Sequence, residues 1–439
     1  MRYKEALDYL YGLQKFGIKF GLDNSRAILA ALGSPEKNFK SVHVAGTNGK
    51  GSTTAAISFI LRAHGKKTGL FTSPHLYNFT ERIRIDGKEI SEKKVIELAC
   101  RLKNLVRDAS KFPPDFSPTF FEIVTAMAFL HFSENSVEWA AVETGMGGRL
   151  DSTNVIMPEA VVITPVGIDH KEFLGDTLGE ITFEKAGIIK EGRPLILGPQ
   201  EEEALKILLK RGKEKAVSVY LYKQDFDSII KKETPEGIIF DYKSPDFTLN
   251  DIFFPLTGDY QAVNAALAIK TAEVLGFKDE EKIRQGLAEV SLTGRLELVS
   301  RNPEIRLDGG HNPEAARALS GALRNIFLKG ERRLILIAGI MSDKDIEGIL
   351  KELLPLAEEA IFTAPAYGRA APPEELKSRA ESLGFKKGLI SSSVAHALKT
   401  AKEIARPGDL ILVAGSFYTA GEAKEALSGK GALTGLREC

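Results

Sequence analysis

Short apolar runs alternate with amphipathic stretches along most of this chain. Residues 3–15 and 23–32 carry helical spacing, and residues 40–45 form the first clear strand. A helical run at 52–64 and a strand at 67–72 follow. The loop Thr72-Ser73-Pro74-His75-Leu76 then leads to Arg82-Ile83-Arg84-Ile85. Helices are predicted near 91–109 and 118–133, and short buried strands at 137–142 and 160–164. Strands alternating with helices predict a parallel sheet covered on both faces.

From 216 to 256 the texture changes. Alternating pieces such as Gly237-Ile238-Ile239-Phe240-Asp241-Tyr242 predict a small antiparallel sheet. Helices near 258–275 and 279–290 come next, and Thr293-Gly294-Arg295 reads as a hinge. Strands near 304–308, 333–339, 359–363 and 409–414 then alternate with helices. The expected architecture is α/β. Residues 1–297 form an N-terminal P-loop domain with a mostly parallel sheet plus a small antiparallel sheet. Residues 298–439 form a C-terminal Rossmann-like α/β domain.

Composition narrows the class. The chain has 439 residues, 43% hydrophobic and 27% charged, as globular proteins do. Its 59 basic and 59 acidic residues balance, so no global field favours nucleic acid or an anionic membrane. Two cysteines, Cys100 and Cys439, form neither a metal spacing nor a disulfide framework. Cys100 reads as a small core hydrophobe. Met1-Arg2-Tyr3-Lys4 opens an amphipathic helix rather than a secretion signal. No apolar run approaches the roughly 18 residues of a membrane span. A reducing cytoplasm is the expected location.

The chemistry starts at Val44-Ala45-Gly46-Thr47-Asn48-Gly49-Lys50-Gly51-Ser52-Thr53. A strand enters a glycine turn, followed by a lysine, hydroxyls and a helix. Backbone N–H groups and a helix N-terminus suit phosphate, a lysine neutralises it, and a hydroxyl reaches Mg²⁺. The general pattern G-x-x-x-x-G-K-[ST] would place Gly at 44 and a hydroxyl at 51. Here Val44 and Gly51 stand there, and the hydroxyl moves to Ser52.

In a parallel sheet, ligands collect beyond the carboxyl ends of the strands. Strand 67–72 delivers Ser73 and His75 there, strand 137–142 delivers Glu143, and strand 160–164 delivers Asp169-His170. Glu143 has the form of a metal-binding carboxylate after an apolar strand. His170 is either such a ligand or a structural histidine. Gly145-Met146-Gly147-Gly148-Arg149 either holds an anionic substrate or is a tight turn. Asp308-Gly309-Gly310-His311-Asn312-Pro313 either faces a cleft between domains or caps a helix.

These motifs together resemble the folylpolyglutamate synthase/dihydrofolate synthase family, within the Mur-ligase superfamily. The matching stretches are Gly46–Ser52, Thr72–His75, Glu81-Arg82-Ile83, Glu143–Asn154, Ile163–Gly175 and Glu184–Ile188. Asn264, Gly294–Glu297, Asp308–Asn312 and Gly415-Ser416 complete the set.

The resemblance implies that Thr47, Asn48, Gly49, Lys50, Gly51 and Ser52 hold ATP phosphates. Asn264, Arg295 and Asp308 would contact the nucleotide. Ser52, Ser73, Glu143, His170 and a carbamylated Lys185 would serve two Mg²⁺ sites. From its position alone, Lys185 reads as a solvated helix lysine. His311 and Ser416 would line the cleft where glutamate meets the acyl group. Lys50, Lys185, Asp308, His311 and Ser416 are therefore the catalytic candidates. The Phe120-Phe121-Glu122 segment either lines a folate pocket or starts a helix, and His75 and Arg149 are further substrate contacts.

The implied reaction joins folate, or dihydropteroate, to L-glutamate with ATP through an acyl phosphate, in a monomer without nucleic-acid or membrane partners. A cell-wall Mur ligase would need a further domain before the phosphate loop, where about 40 residues stand. A non-enzymatic ATP-binding protein would have little use for Lys185 or the Asp308/His311 turn. A P-loop kinase would leave the glutamate, histidine and lysine blocks without a role.

Overall fold

The computed structural model describes residues 1–16, 21–113 and 116–428. Cys439 lies outside them.

The first sheet has eight strands. Their order is Lys88–Glu89, Ile83–Ile85, Thr68–Phe71, Trp139–Glu143, Lys40–Ala45, Ala160–Ile163, Leu195–Leu197 and Val219–Leu221. From Thr68–Phe71 onward every neighbouring pair is parallel. The two strands at the other edge run antiparallel. Ala140 and Val142 enter one core while Ala141 enters the other. Both faces are therefore covered, which is why this strand reads as an unbroken apolar run.

Lys50–Ala63 is the central helix, and Tyr260–Val274 and Glu280–Ala288 pack on it. Gly286 makes the second contact close. A Cβ there would lie 2.7 Å from Ile60 Cα, so any larger residue forces the helices apart. Ile57, Ile60 and Leu61 are buried along this helix. Each contributes about 1.5–3 kcal/mol of burial.

The small antiparallel sheet is present, as Asp227–Thr234, Gly237–Lys243 and Thr248–Phe254. It is pinned to the helix Tyr260–Val274 by a buried network. Tyr242 donates to Glu273 Oε2 at 2.6 Å and Lys270 to Glu273 Oε1 at 3.2 Å. One piece of the expected antiparallel region goes elsewhere. Val219–Leu221 extends the parallel sheet beside Leu195–Leu197. Three residues carry no usable period, so the neighbouring strand decides their partner.

The third sheet runs Glu297–Arg301, Glu304–Leu307, Leu410–Ala414, Leu334–Ala338, Glu359–Phe362 and Gly388–Ile390. Only the first pair is antiparallel. Its outermost strands, Glu297–Arg301 and Gly388–Ile390, are partly exposed and lack the apolar run that marks the inner four. Cys100 corrects its sequence reading: it is partly exposed, with Sγ 3.9 Å from Met1 Sδ, not a core residue.

Candidate active site between two sheet rims

The strand Lys40–Ala45 lies between Trp139–Glu143 and Ala160–Ile163, and its carboxyl end emits the glycine loop. Gly46 and Gly49 have φ of +147° and +88°. A Cβ at Gly46 would fall 1.9 Å from Thr164 Oγ1, and one at Gly49 2.3 Å from Asn264 Oδ1. Both positions exclude a side chain twice over, by space and by backbone conformation. The helix then starts at Lys50 with no side-chain cap. Among the described residues, the N–H groups of Gly49, Lys50, Gly51 and Ser52 meet no acceptor. Such a row of free donors at a helix N-terminus is an anion site.

Two lysines from different elements converge on this loop. Lys50 Nζ donates to Gly46 O and Thr47 O, each at 3.1 Å. Lys185 Nζ, from the helix Leu178–Ala186, donates to the same Gly46 O at 2.8 Å. Lys185 is buried, not solvated as its sequence position suggests. Burial, with help from the nearby Lys50 charge, lowers its pKa to about 7. Burial also lowers Lys50, against the pull of Glu143 and Asp169.

Glu143 ends its strand and turns toward the first turn of the loop helix, where a Cβ on Gly51 would lie 3.6 Å from Glu143 Oε2. Ser73 N–H donates to the same oxygen at 3.0 Å. Burial raises the Glu143 pKa, opposed by Lys50. Ser52 is buried in the same turn. Thr53 Oγ1 and Thr144 Oγ1 nearby are buried without a partner among the described residues. His170 sits at φ +52°, a rare conformation outside glycine. Burial keeps its imidazole well below the ordinary value despite Asp169, so it is neutral at pH 7. The Glu143 carboxylate and the Ser52 hydroxyl are oxygen donors of the kind a hard divalent cation takes.

The rim of the third sheet faces this one. Asp308 is buried and accepts from Leu296 N–H at 3.1 Å and Gly310 N–H at 2.8 Å. It thereby holds Leu296 at φ +49°. Burial raises Asp308, opposed by Arg295. The Arg295 guanidinium lies 4.7 Å from the Phe417 ring centre. Beside it opens a cavity of about 490 Å³, lined in part by Leu256, Thr257, Leu296 and Leu298. His311 Nε2 lies 3.4 Å from Asp169 Oδ2 across the cleft. Asn48 and Asn312 exchange amide hydrogen bonds at 3.3 and 3.1 Å. Thr47 is tied to Gly167 in both directions, at 2.9 and 3.0 Å.

The other sequence candidates have local partners of their own. Ser416 is buried and caps the last helix, accepting from Thr419 N–H at 3.1 Å. Glu122 closes the capping box at Thr119, whose N–H donates to it at 2.6 Å. Phe120 is buried and stacks on Tyr11 with centroids 5.4 Å apart. Phe121 does approach the rim, because its ring fills the space a Gly145 side chain would need. Arg149 pairs with Glu184 at 2.8 Å and stays half exposed. His75 accepts from Arg82 Nε at 2.8 Å and meets Tyr11 OH at 3.3 Å.

Three further residues, to which the sequence analysis gave no role, organise the site. Glu81 accepts from the N–H groups of Leu76, Tyr77 and Asn78 at 3.0, 2.9 and 2.8 Å, and from Thr293 Oγ1 at 2.9 Å. It thus joins the Ser73 loop to the Thr293-Gly294 segment. Asp169 and Lys344 meet across the cleft at 2.8 Å. Their shared signal is position, since both follow the carboxyl end of a parallel strand.

Two opposed α/β rims around a phosphate loop define a Mur-type ligase. Residues 44–272 match the Mur ligase middle domain, and residues 294–417 match the Mur ligase, glutamate ligase domain. The chain belongs to the folylpolyglutamate synthase/dihydrofolate synthase family of that superfamily. It is 35% identical over 434 residues to the dihydrofolate synthase/folylpolyglutamate synthase of Bacillus subtilis, covering 97% of this chain and 99% of that one. It is 34% identical over 436 residues to the folylpolyglutamate synthase of Lacticaseibacillus casei, covering 98% and 99%. Among solved structures, Mycobacterium tuberculosis folylpolyglutamate synthase complexed with ADP and AMPPCP superimposes with a TM-score of 0.86 at 33% identity, covering 94% of this chain and 96% of that one. Escherichia coli FolC in complex with DHPP and ADP superimposes with a TM-score of 0.87 at 31% identity, covering 98% of each. No helix among the described residues is long and apolar enough to cross a membrane.

Proposed function

We infer that this chain is an ATP-dependent ligase that adds L-glutamate to the γ-carboxylate of a folate through an acyl phosphate. The observation that carries this reading is the convergence of Lys50 and Lys185 on the Gly46 carbonyl, with Glu143 facing the same helical turn. The folate carboxylate attacks the γ-phosphorus of ATP, and ADP leaves. The free amine of glutamate then attacks the acyl carbon, phosphate leaves and a proton is released. Phosphoryl transfer calls for positioning and charge neutralisation. The free N–H groups of Gly49–Ser52 orient the phosphates, and Lys50 leaves Gly46 and Thr47 to meet them. Asn264, Arg295 and Asp308 are placed for the rest of the nucleotide, and Phe121 for the folate.

Ser52, Ser73, Glu143 and His170 would hold Mg²⁺, which supplies charge neutralisation when bound. Lys185 is poised for carbamylation. Its depressed pKa leaves a large fraction of free amine at neutral pH, and a free amine adds CO₂ with loss of a proton to give a carbamate. That exchanges a buried cation for an anionic oxygen ligand. Closure about Gly294-Arg295 brings His311 over the rim and keeps water from the acyl phosphate.

Dihydropteroate is proposed as a second acyl substrate, supported by the double name of the Bacillus subtilis relative. A monomer in a reducing cytoplasm, free of nucleic acid, fits the balanced charge and the two cysteines. The test is ADP release with tetrahydrofolate or dihydropteroate offered separately, each with and without glutamate. Release that ignores both acyl substrate and glutamate overturns the reading.

A further inference from the structure

Asp169 stands on the first domain's rim with its side chain 8% exposed, yet its partners come mostly from the second domain. Lys344 Nζ lies 2.8 Å from Oδ1. His311 Nε2 lies 3.4 Å and Asn312 Nδ2 3.5 Å from Oδ2. These partners sit on two separate loops, one after Glu304–Leu307 and one after Leu334–Ala338. On its own side, Asp169 Oδ1 also accepts from His170 N–H at 2.9 Å.

Lys344 is 10% exposed, and its other anionic neighbour, Asp343, is 3.8 Å away. A nearly buried ammonium is costly without a close carboxylate. With the domains apart, water would solvate both charges separately. With the domains together, each needs the other. The pair therefore favours the closed arrangement only while both members are present.

We propose that Asp169 is an interdomain latch, a positioning residue that fastens the second domain over the phosphate loop through Lys344 and His311. Its Oδ1 accepts both from Lys344 and from the His170 backbone. A shift of His170 as the site fills is therefore felt directly at the second domain. Asn48 and Glu314 add a neighbouring contact, with Asn48 Nδ2 3.2 Å from Glu314 Oε2. An amide donor on a more exposed carboxylate carries less of the closing energy than an ammonium on a buried one.

The test uses the full-length protein with Asp169→Asn, Lys344→Met and the double variant. Small-angle scattering is recorded with magnesium and a non-hydrolysable ATP analogue. Glutamate-dependent ADP release supplies kcat and KM. Either single change should enlarge the nucleotide-bound particle by the same amount, and the double variant should add nothing. Each should lower kcat/KM for glutamate about thirtyfold, with nucleotide affinity changed less than turnover. Asp169→Glu should recover part of the compaction. If Lys344→Met matches the parent in both size and kcat/KM, the latch is wrong. Additive effects in the double variant also sink it, as does an Asp169→Asn whose loss lies wholly in nucleotide affinity. Lys344→Met decides the matter alone if Asp169→Asn does not fold. The kinetic arm rests on the ligase reading and the scattering arm does not. A parent that releases no ADP would remove the ligase reading while particle size still judges the latch.

Discussion

Lys50 and Lys185 share one acceptor, the carbonyl of Gly46, at 3.1 and 2.8 Å. They reach it from helices that start 128 residues apart, at Lys50 and Leu178. Two cations on one carbonyl are stable when one gives up its proton, and burial selects Lys185. A loop built for phosphate thus sets two lysines on one carbonyl, with the Lys185 pKa lowered to about 7.

Lys185→Ala should lose activity by roughly a hundredfold or more, and added formate or acetate should restore part of it. Lys185→Arg should show neither activity nor rescue, because guanidinium does not take up CO₂. Turnover with and without each small acid is the measurement, and an alanine variant with near-parental activity contradicts the carbamate.

Lys50→Ala should remove ADP release while leaving the thermal midpoint within a few degrees of the parent. Its partners in this structure are two backbone carbonyls of its own loop, so no hydrophobic core contact is removed. Parental turnover in this variant would contradict the phosphate assignment.

Gly49→Ala combines a φ of +88° with a Cβ 2.3 Å from Asn264 Oδ1. Strain of about 1–3 kcal/mol is expected, together with loss of nucleotide binding. Asn264→Ala removes the steric part and leaves the backbone part. In the double variant the stability losses should therefore sum to less than the two singles. Thermal unfolding of all three proteins checks this; strict additivity would mean that the two side chains never meet.

His43 supplies a pH prediction. Thr153 donates its hydroxyl proton to Asp151, so it accepts from His43 Nε2–H at 2.8 Å. The other ring nitrogen, Nδ1, is buried without a partner among the described residues. Burial, with a smaller push from Lys190, lowers the His43 pKa to about 3. The folded state therefore excludes a proton that the unfolded state accepts below about pH 6.5. Stability should fall as pH drops through 6.5 toward 3, by about 2 kcal/mol between pH 7 and 5. His43→Gln should flatten that slope, and equal pH dependence of the thermal midpoint in both proteins would refute the assignment.

Much was legible in the residues alone because it is local. The phosphate loop is one contiguous stretch, and its glycines, lysine and hydroxyls act within a single strand–turn–helix. The inner strands of both sheets were legible because they are buried on two faces and must be apolar throughout. The three-residue strand Val219–Leu221 was not, because its partner is a neighbouring strand rather than a pattern of its own. Ser416 and Glu122 have local partners that spacing alone does not show. Each sits in a motif that reads as functional, yet each side chain satisfies the free N–H groups of a helix start.

The amino-acid order therefore determined by itself where an anion would bind and which strands would carry polar groups to the sheet edges. Tertiary structure decided which of those groups meet. Lys185 became a low-pKa amine only because packing removed water from it and set it against Lys50. Asp169 gained Lys344 and His311 only because two rims face each other. Burial and Coulomb energy depend on distances across the fold, and such distances have no trace in spacing along the chain.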